Sequence, residues 1–459
     1  MPRTAERFIF EDVSRNGATI SCSFVIEFPE GDRETYTGSV TFPVLAERWD
    51  SLSPKLVSSI MRLFHLALGM SYWKMYCPPK MELGPHVLTK QEAEFWNTIY
   101  TKGLGEFFYR NQIDFRNLIS FPFSTTAKAE PISFEGSSNV LSAWGGGKDS
   151  VVSLKLLETA GFPVTLFSLG SSKVQTSAQQ QTSGQDYLVV ERMMDPKMLE
   201  LSRGNTIYNG HVPITFVYQI VGITLAALNG MSWVVFSNER SASYGNVDYL
   251  GMEVNHQWSK SLECELLFRD YIKNFITPSV TSFSLLRPFD EIEIVRRFTN
   301  YPEYFGKVSS CNRNFSVLKA RPDAGDRAYW CGECPKCAFV FSCLAAFLPK
   351  EKVVEMVGKN MYADEKLIPL FRELLGIEAF KPFECVGTAE ETIVAFNRAL
   401  QSHAYEGDAV MKMFETDVLP KMTSIAEMEQ RVFSRGDLAT IPEPFRSLFD
   451  DSPTGSTSL

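Results

Sequence analysis

The sequence has little that would attract a polyanion and nothing that reads as a membrane anchor. Its 54 acidic residues outnumber its 45 basic ones, for a formal net charge of −9 and a pI near 5.3. No general basic footprint for nucleic acid exists, so a nucleic-acid partner is not expected. The opening residues, MPRTAERFIFEDVSRNG, scatter charges through themselves and hold no apolar core of signal-peptide length. A cytoplasmic location is therefore expected. Between Arg203 and Glu239 no charged residue occurs, but VPITFVYQIVGITLAALNG has Pro213 at its start, Gly230 at its end, and Gln219 and Asn229 within it. It reads as a buried helix followed by a central strand, SWVVFS, rather than as a span. Nothing fibrous or disordered is indicated by 44% apolar and 22% charged residues, and 459 residues suffice for two or three domains.

What is present centres on Asn139 to Ala160, NVLSAWGGGKDSVVSLKLLETA: a short apolar strand, a glycine turn and an amphipathic helix. Gly145, Gly146 and Gly147 leave backbone N–H groups free to close around an anion at the positive end of that helix. Lys148 adds a point charge, Asp149 a hard oxygen for Mg²⁺, and Ser150 a helix cap or phosphate ligand. A Walker A loop is excluded, because Ser142 stands where its first Gly would be and Asp149 follows the Lys. The stretch instead resembles the PP-loop of the N-type ATP pyrophosphatases, Ser-Gly-Gly-x-Asp-Ser, with Gly145 in place of the first Ser. That resemblance implies cleavage of ATP to AMP and pyrophosphate. The competing reading is a glycine-rich turn without a ligand.

The expected fold class is α/β: a parallel-sheet PP-loop ATP pyrophosphatase domain over residues 136–345, preceded by an α+β domain over 1–135, the candidate for substrate recognition, and followed by a helical region over 346–449. The tail, 450–459, is expected to be disordered. In the first region, Thr19 to Phe28 and Thr35 to Phe42 read as a hairpin, with helices around Pro54 to Tyr72 and Lys90 to Phe108. In the second, strands are expected at Val140–Trp144, Val164–Leu169, Tyr187–Glu191, Ser232–Ser237 and Ser282–Leu286. Their C-terminal ends would bring the glycine turn, GSSKVQTSAQQQTSGQ, SNERSAS and Arg287-Pro288 to one rim. The polar run is read as a solvated loop in preference to a lid.

At that rim Glu239 is placed to share Mg²⁺ with Asp149, and Arg240 to bind phosphate or a substrate carboxylate, unless the two only close a loop as an ion pair. VNHQWSKSLECE is read as the opening of a helix running to about Phe275, which would put His256, Lys260 and Cys264 on one face. Lys260 is the phosphate contact; His256 and His211, in NGHVPIT, are proton-transfer candidates; Cys264 is more readily an inert core residue. Cys311, Cys331, Cys334 and Cys337 offer four thiolates, suiting a closed structural Zn²⁺ site, with an iron–sulfur cluster or redox thiols as rivals.

Taken together, AWGGGKDS, NGHVPIT, SNERSAS, GNVDYLGMEVNHQWSKS and WCGECPKCAFVF, with KGLGEFFYRNQID upstream, resemble the ATP-dependent epimerases that invert the terminal glutamate of UDP-N-acetylmuramoyl-L-alanyl-L-glutamate. The matching pieces span about residues 139 to 341. The resemblance implies ATP and Mg²⁺ as requirements, the UDP-muramoyl dipeptide as substrate, and an acyl-adenylate intermediate. A PP-loop amidating or nitrile-forming enzyme similar to deazaguanine nitrile synthases, and a non-catalytic ATP-binding regulator, are the alternatives.

Overall fold

The computed structural model describes residues 2–182, 184–315, 329–378 and 381–450. Eleven strands occur among them: β1 (Arg7–Asn16), β2 (Thr19–Glu27), β3 (Arg33–Thr41), β4 (Lys80–Glu82), β5 (Ser137–Ala143), β6 (Val164–Leu169), β7 (Tyr187–Met193), β8 (Met231–Phe236), β9 (Val247–Tyr249), β10 (Met252–Val254) and β11 (Thr281–Ser284). Nine form one sheet in the order β11-β8-β5-β6-β7-β3-β2-β1-β4, while β9 and β10 make a separate ribbon. The architecture is mixed α/β, with five parallel strands continued by an antiparallel meander.

The parallel half was foreseeable because its strands are short runs of β-branched and aromatic residues between helices. Alternate side chains enter two different cores. Leu141, Phe167, Val190 and Val234 face the helices Pro54–Trp73, Lys90–Gly103 and Ile214–Asn229. Val140, Leu166 and Val235 face Lys148–Thr159, Glu291–Phe298 and the C-terminal helices Pro335–Ala345 and Ala389–Gln401. Each such buried side chain contributes about 1.5–3 kcal/mol, which fixes the sheet between its two helical layers.

The structure departs from or adds to the expected elements at four points. The boundary near residue 135 crosses a continuous sheet, since Ser39, Val40 and Thr41 of β3 pair antiparallel with Met193, Arg192 and Glu191 of β7. Strand β1 was not foreseen; its pairing with β2 shifts between Phe10 and Asp12, where Glu11 and Asp12 break the alternation begun by buried Phe8 and Phe10. The polar run expected as a loop contains the helix Lys173–Gln179, capped by Ser172 Oγ on the Gln175 N–H and anchored by buried Val174 and Ala178. Finally, the helix after VNHQ begins only at Leu262, so His256 and Lys260 precede it and share no helical face with Cys264.

Ile214–Asn229 ends at Gly230 in the left-handed region, φ 61°, as its sequence suggests. Among the described residues no helix is long and apolar enough to cross a membrane. The tail beyond Asp450 lies outside the described residues.

Candidate active site

Because β5, β6, β8 and β11 run parallel, their C-terminal ends open on one side, and there a cavity of about 370 Å³ forms. Gly145, Gly147, Asp149 and Ser150 line one wall. Gly146 has φ +69°, and a Cβ there would lie 2.7 Å from the Gln175 Cα, so only glycine fits the turn. The turn is held against the helix Lys173–Gln179 by Trp144 Nε1 donating to the Gln175 carbonyl at 3.0 Å and Gln175 Nε2 returning to the Trp144 carbonyl at 3.3 Å. Gly147 is the N-cap of Lys148–Thr159, which aims free N–H groups of the first turn at the cavity. Ser150 Oγ donates to the Gly147 carbonyl at 2.8 Å, closing the loop.

The cations at this wall are arranged otherwise than expected. Lys148 is 2% exposed and turns away from the cavity, its Nζ 2.6 Å from Asp149 Oδ1 and 2.7 Å from Glu291 Oε1. Burial alone would depress its pKa, but the two carboxylates outweigh burial and raise it. Lys148 is thus a fixed counter-ion behind Asp149. Lys336, from the CPKC turn, and Lys260 line the cavity instead. Lys336 Nζ reaches Glu291 Oε1 at 2.5 Å, so Glu291 sits between two lysines, and they hold its carboxyl low against the effect of burial. Glu239 lines the cavity from the end of β8, its own carbonyl accepting from Arg287 Nη1 at 2.6 Å. Arg240 does not join it. Its Nε donates to Asp290 Oδ1 at 2.9 Å, and its remaining N–H groups go to the Ser434 and Arg431 carbonyls, both at 3.2 Å. The guanidinium therefore ties the C-terminal segment to the rim and is not available to a ligand.

Cys311, Cys331, Cys334 and Cys337 converge as the spacing suggested: all four sulfurs lie within 4.8 Å of one another, with Cys331 and Cys337 3.6 Å apart. A tetrahedron with Zn–S bonds of about 2.3 Å has edges of about 3.8 Å, so the donor set fits that ion. Ser309, Ser310 and Asn312, beside Cys311, reach the cavity wall.

The sequence profile of the MurL N-terminal domain matches residues 1–285, and that of the MurL C-terminal domain matches residues 307–429. This chain belongs to the MurL family. Neither edge of those matches coincides with the boundaries expected at 135 and 345. A relative from a Micromonospora species, 36% identical over 96% of this chain and 97% of its own length, is named UDP-N-acetyl-alpha-D-muramoyl-L-alanyl-L-glutamate epimerase. Relatives with the same name come from Xanthomonas oryzae pv. oryzae, 38% identical over 80% of each chain, and Salinispora tropica, 33% identical over 97% of this chain and 98% of its own. No solved structure matches the chain.

In this MurL-family chain the two histidines expected as proton-transfer groups lie together but behind the cavity wall. Their rings are 4.7 Å apart, and both address Glu106, His256 Nδ1 at 2.5 Å from Oε2 and His211 Nδ1 at 3.6 Å. Glu106, within the KGLGEFF stretch, escaped spacing arguments because its two histidine partners lie more than 100 residues away. Cys385, a cavity-lining residue that sequence reading passed over as scattered, is near enough to His256 to help raise its pKa. Lys260 Nζ lies 3.4 Å from Cys385 Sγ. Cys264, by contrast, is buried in the apolar core, where burial pushes its thiol up.

Proposed function

We propose that this protein epimerises the terminal L-glutamate of UDP-N-acetylmuramoyl-L-alanyl-L-glutamate to D-glutamate at the expense of ATP, releasing AMP and pyrophosphate for peptidoglycan precursor synthesis in the cytoplasm. The observation that carries this reading is the single cavity whose one wall is an anion-binding turn and whose other wall is a cation-backed thiol. The relatives' printed name supplies the substrate.

The α-proton of a free carboxylate is hard to remove, because the resulting enediolate adds charge to a group already charged. Attack of the glutamate α-carboxylate on the α-phosphorus of ATP expels pyrophosphate and leaves an acyl-adenylate. Its neutral carbonyl accepts the electron pair when the α-proton departs, and after a proton returns to the opposite face water cleaves the adenylate to the D-glutamyl carboxylate and AMP. In this reading the 136–345 region is a PP-loop ATP pyrophosphatase domain. Backbone N–H groups of Gly145 to Gly147 and the helix start at Lys148–Ser150 take phosphate oxygens, Lys260 and Lys336 balance their charge, and Lys148 fixes Asp149. Asp149 and Glu239, both on the cavity wall, suit Mg²⁺, which supplies charge neutralisation on the phosphates when bound. Asp149 Oδ1 is taken by Lys148, so the two carboxylates offer an open set that leaves room for phosphate oxygens. Cys311, Cys331, Cys334 and Cys337 suit structural Zn²⁺, holding the CPKC turn and Lys336 at the wall.

The test is incubation with ATP, Mg²⁺ and the UDP-muramoyl dipeptide in D₂O, following AMP, glutamate chirality and α-deuterium. AMP together with α-deuterated D-glutamyl product is expected. A folded, ATP-binding sample that gives neither rules the activity out for this substrate.

A further inference from the structure

Nine cysteines occur in the chain, and one of them faces the cavity amid positive charge. Cys385 reaches the wall from the segment 381–388, which is pinned in place by bonds that include Gln257 Nε2 donating to the Val386 carbonyl at 3.2 Å, and Asn246 Nδ2 donating to the Lys381 carbonyl at 3.0 Å and the Pro382 carbonyl at 2.9 Å. Three elements present groups to its sulfur. Lys260 comes from the turn before the helix Leu262–Tyr271, at 3.4 Å. His256 comes from the turn after β10 and is itself held by Glu106, from the helix Gly105–Asn111. Lys336 stands on the neighbouring stretch of wall. Glu106 accepts from Arg110 Nε as well, at 2.5 Å, so its carboxylate is oriented before it meets the imidazole. Of the acids on the segment and the wall, Glu384 accepts from Asn312, and Glu239 acts on Lys260.

An ammonium in contact with the sulfur and a carboxylate-held imidazole nearby thus surround a thiol that lines a ligand cavity. Such an arrangement stabilises a thiolate and an imidazolium together. We propose that Cys385 is a catalytic acid–base of the epimerisation, its sulfur exchanging the glutamyl α-proton on one face of the substrate, with His256 and Glu106 as positioning residues. The proposal rests on the epimerase reading above. When Sγ takes the proton, the Cα–H bond breaks, an S–H bond forms, and the electron pair moves onto the acyl oxygen of the adenylate. The proton that arrives on the opposite face is drawn from water, and the S–H proton returns to solvent before the next turnover.

The other lone cysteines show what Cys385 would be without these neighbours. Burial pushes Cys22 up to about 12 and raises Cys77 and Cys264 as well. At Cys385 burial acts in the same direction, yet Lys260 and then His256 overcome it and hold the thiol at about 6. His256 is correspondingly raised to about 10, the nearby Cys385 and its bond to Glu106 outweighing burial. His211, buried without such a bond and repelled by His256, falls to about 3 and stays neutral.

The test compares wild type with Cys385→Ala and Cys385→Ser in the D₂O assay. The expected result is loss of D-glutamyl product by about 10²-fold or more, with AMP release kept within about tenfold of wild type. Product formation within about threefold of wild type overturns the proposal, as does an equal loss of AMP release and product. A second readout needs no turnover: site-resolved alkylation of Cys385 in the wild-type chain by iodoacetamide across pH. A midpoint near 6 is expected, moving toward the ordinary thiol value of about 8.5 in His256→Ala; a wild-type midpoint already at the ordinary value overturns the proposal even if the alanine variant misfolds. An active wild type with an unaffected Cys385→Ala removes only this proposal. A wild type forming neither AMP nor D-glutamyl product removes the epimerase reading with it.

Discussion

The two walls of the cavity are built in opposite ways. The glycine wall is contiguous: six residues, Gly145 to Ser150, make the turn, cap the helix and present the N–H groups, and their chemistry is that of the backbone. The thiol wall is assembled from Glu106, His256, Lys260 and Cys385, which come from four separate stretches and act through side chains brought together by packing. The first is fixed by φ, ψ and a missing Cβ. The second has no local pattern and depends on burial to make its charges strong.

The sharpest way to separate the walls is to disable one and watch the other. Asp149→Asn leaves the turn's shape intact and removes a carboxylate from the glycine wall. AMP release is expected to fall by about 10³-fold or more, with an unchanged far-UV circular dichroism spectrum. Retained AMP release would sink the assignment. Gly146→Ala attacks the same wall through geometry, since its Cβ would meet Gln175 backbone atoms at 2.7 Å. ATP affinity should drop by about tenfold or more, with about 1–3 kcal/mol of stability lost, measured by calorimetry and urea unfolding.

His256→Ala addresses the opposite wall. D-glutamyl formation is expected to fall by about tenfold to 10²-fold, with ATP binding measured alongside and unchanged. Equal effects on binding and turnover would mean that the walls are not functionally distinct.

A pH series sharpens the comparison further. Glu106 is held at about 2, because its bond to His256 outweighs burial, and His256 is raised to about 10. Their contribution to stability is present above the ordinary carboxyl value of about 4.3 and lost as pH falls through 2. For the imidazolium it is present below about 6.5 and lost as pH rises through 10. The stability difference between wild type and Glu106→Gln, from urea unfolding, should be greatest near pH 5–6 and decline above pH 6.5. A flat difference across that window would contradict the ion pair.

The smallest expected effect belongs to neither wall. Arg240→Gln removes the contact with Asp290 and the C-terminal segment. It should cost about 1 kcal/mol of stability, discounted for partial exposure, and leave ATP affinity within about twofold. A large affinity loss would return Arg240 to the cavity.

How legible these features were follows from their range in sequence. The parallel strands β5 to β8 announced themselves as apolar runs between helices. Strand β1 did not, because Glu11 and Asp12 interrupt its alternation at a register shift. The helix Lys173–Gln179 was hidden by its polarity; it forms because Val174 and Ala178 bury and Gln175 is held by Trp144. Lys148 and Arg240 were assigned to ligands from their places in the glycine turn and at the strand-end rim, and each has a carboxylate partner within the protein. Cys385 carried no motif, and its neighbours are Lys260 and His256, more than 100 residues earlier.

The sequence alone determined the glycine turn ahead of a helix, the four-cysteine cluster and the family, because each rests on residues close in the chain whose backbone geometry or donor chemistry is local. Only the tertiary structure decided which lysines face the cavity, joined the N-terminal strands to the parallel sheet, and set Glu106, His256 and Lys260 around one thiol. Those outcomes depend on which distant groups share a desolvated space, and the strength of a charge in that space is set by its neighbours rather than by its own residue type.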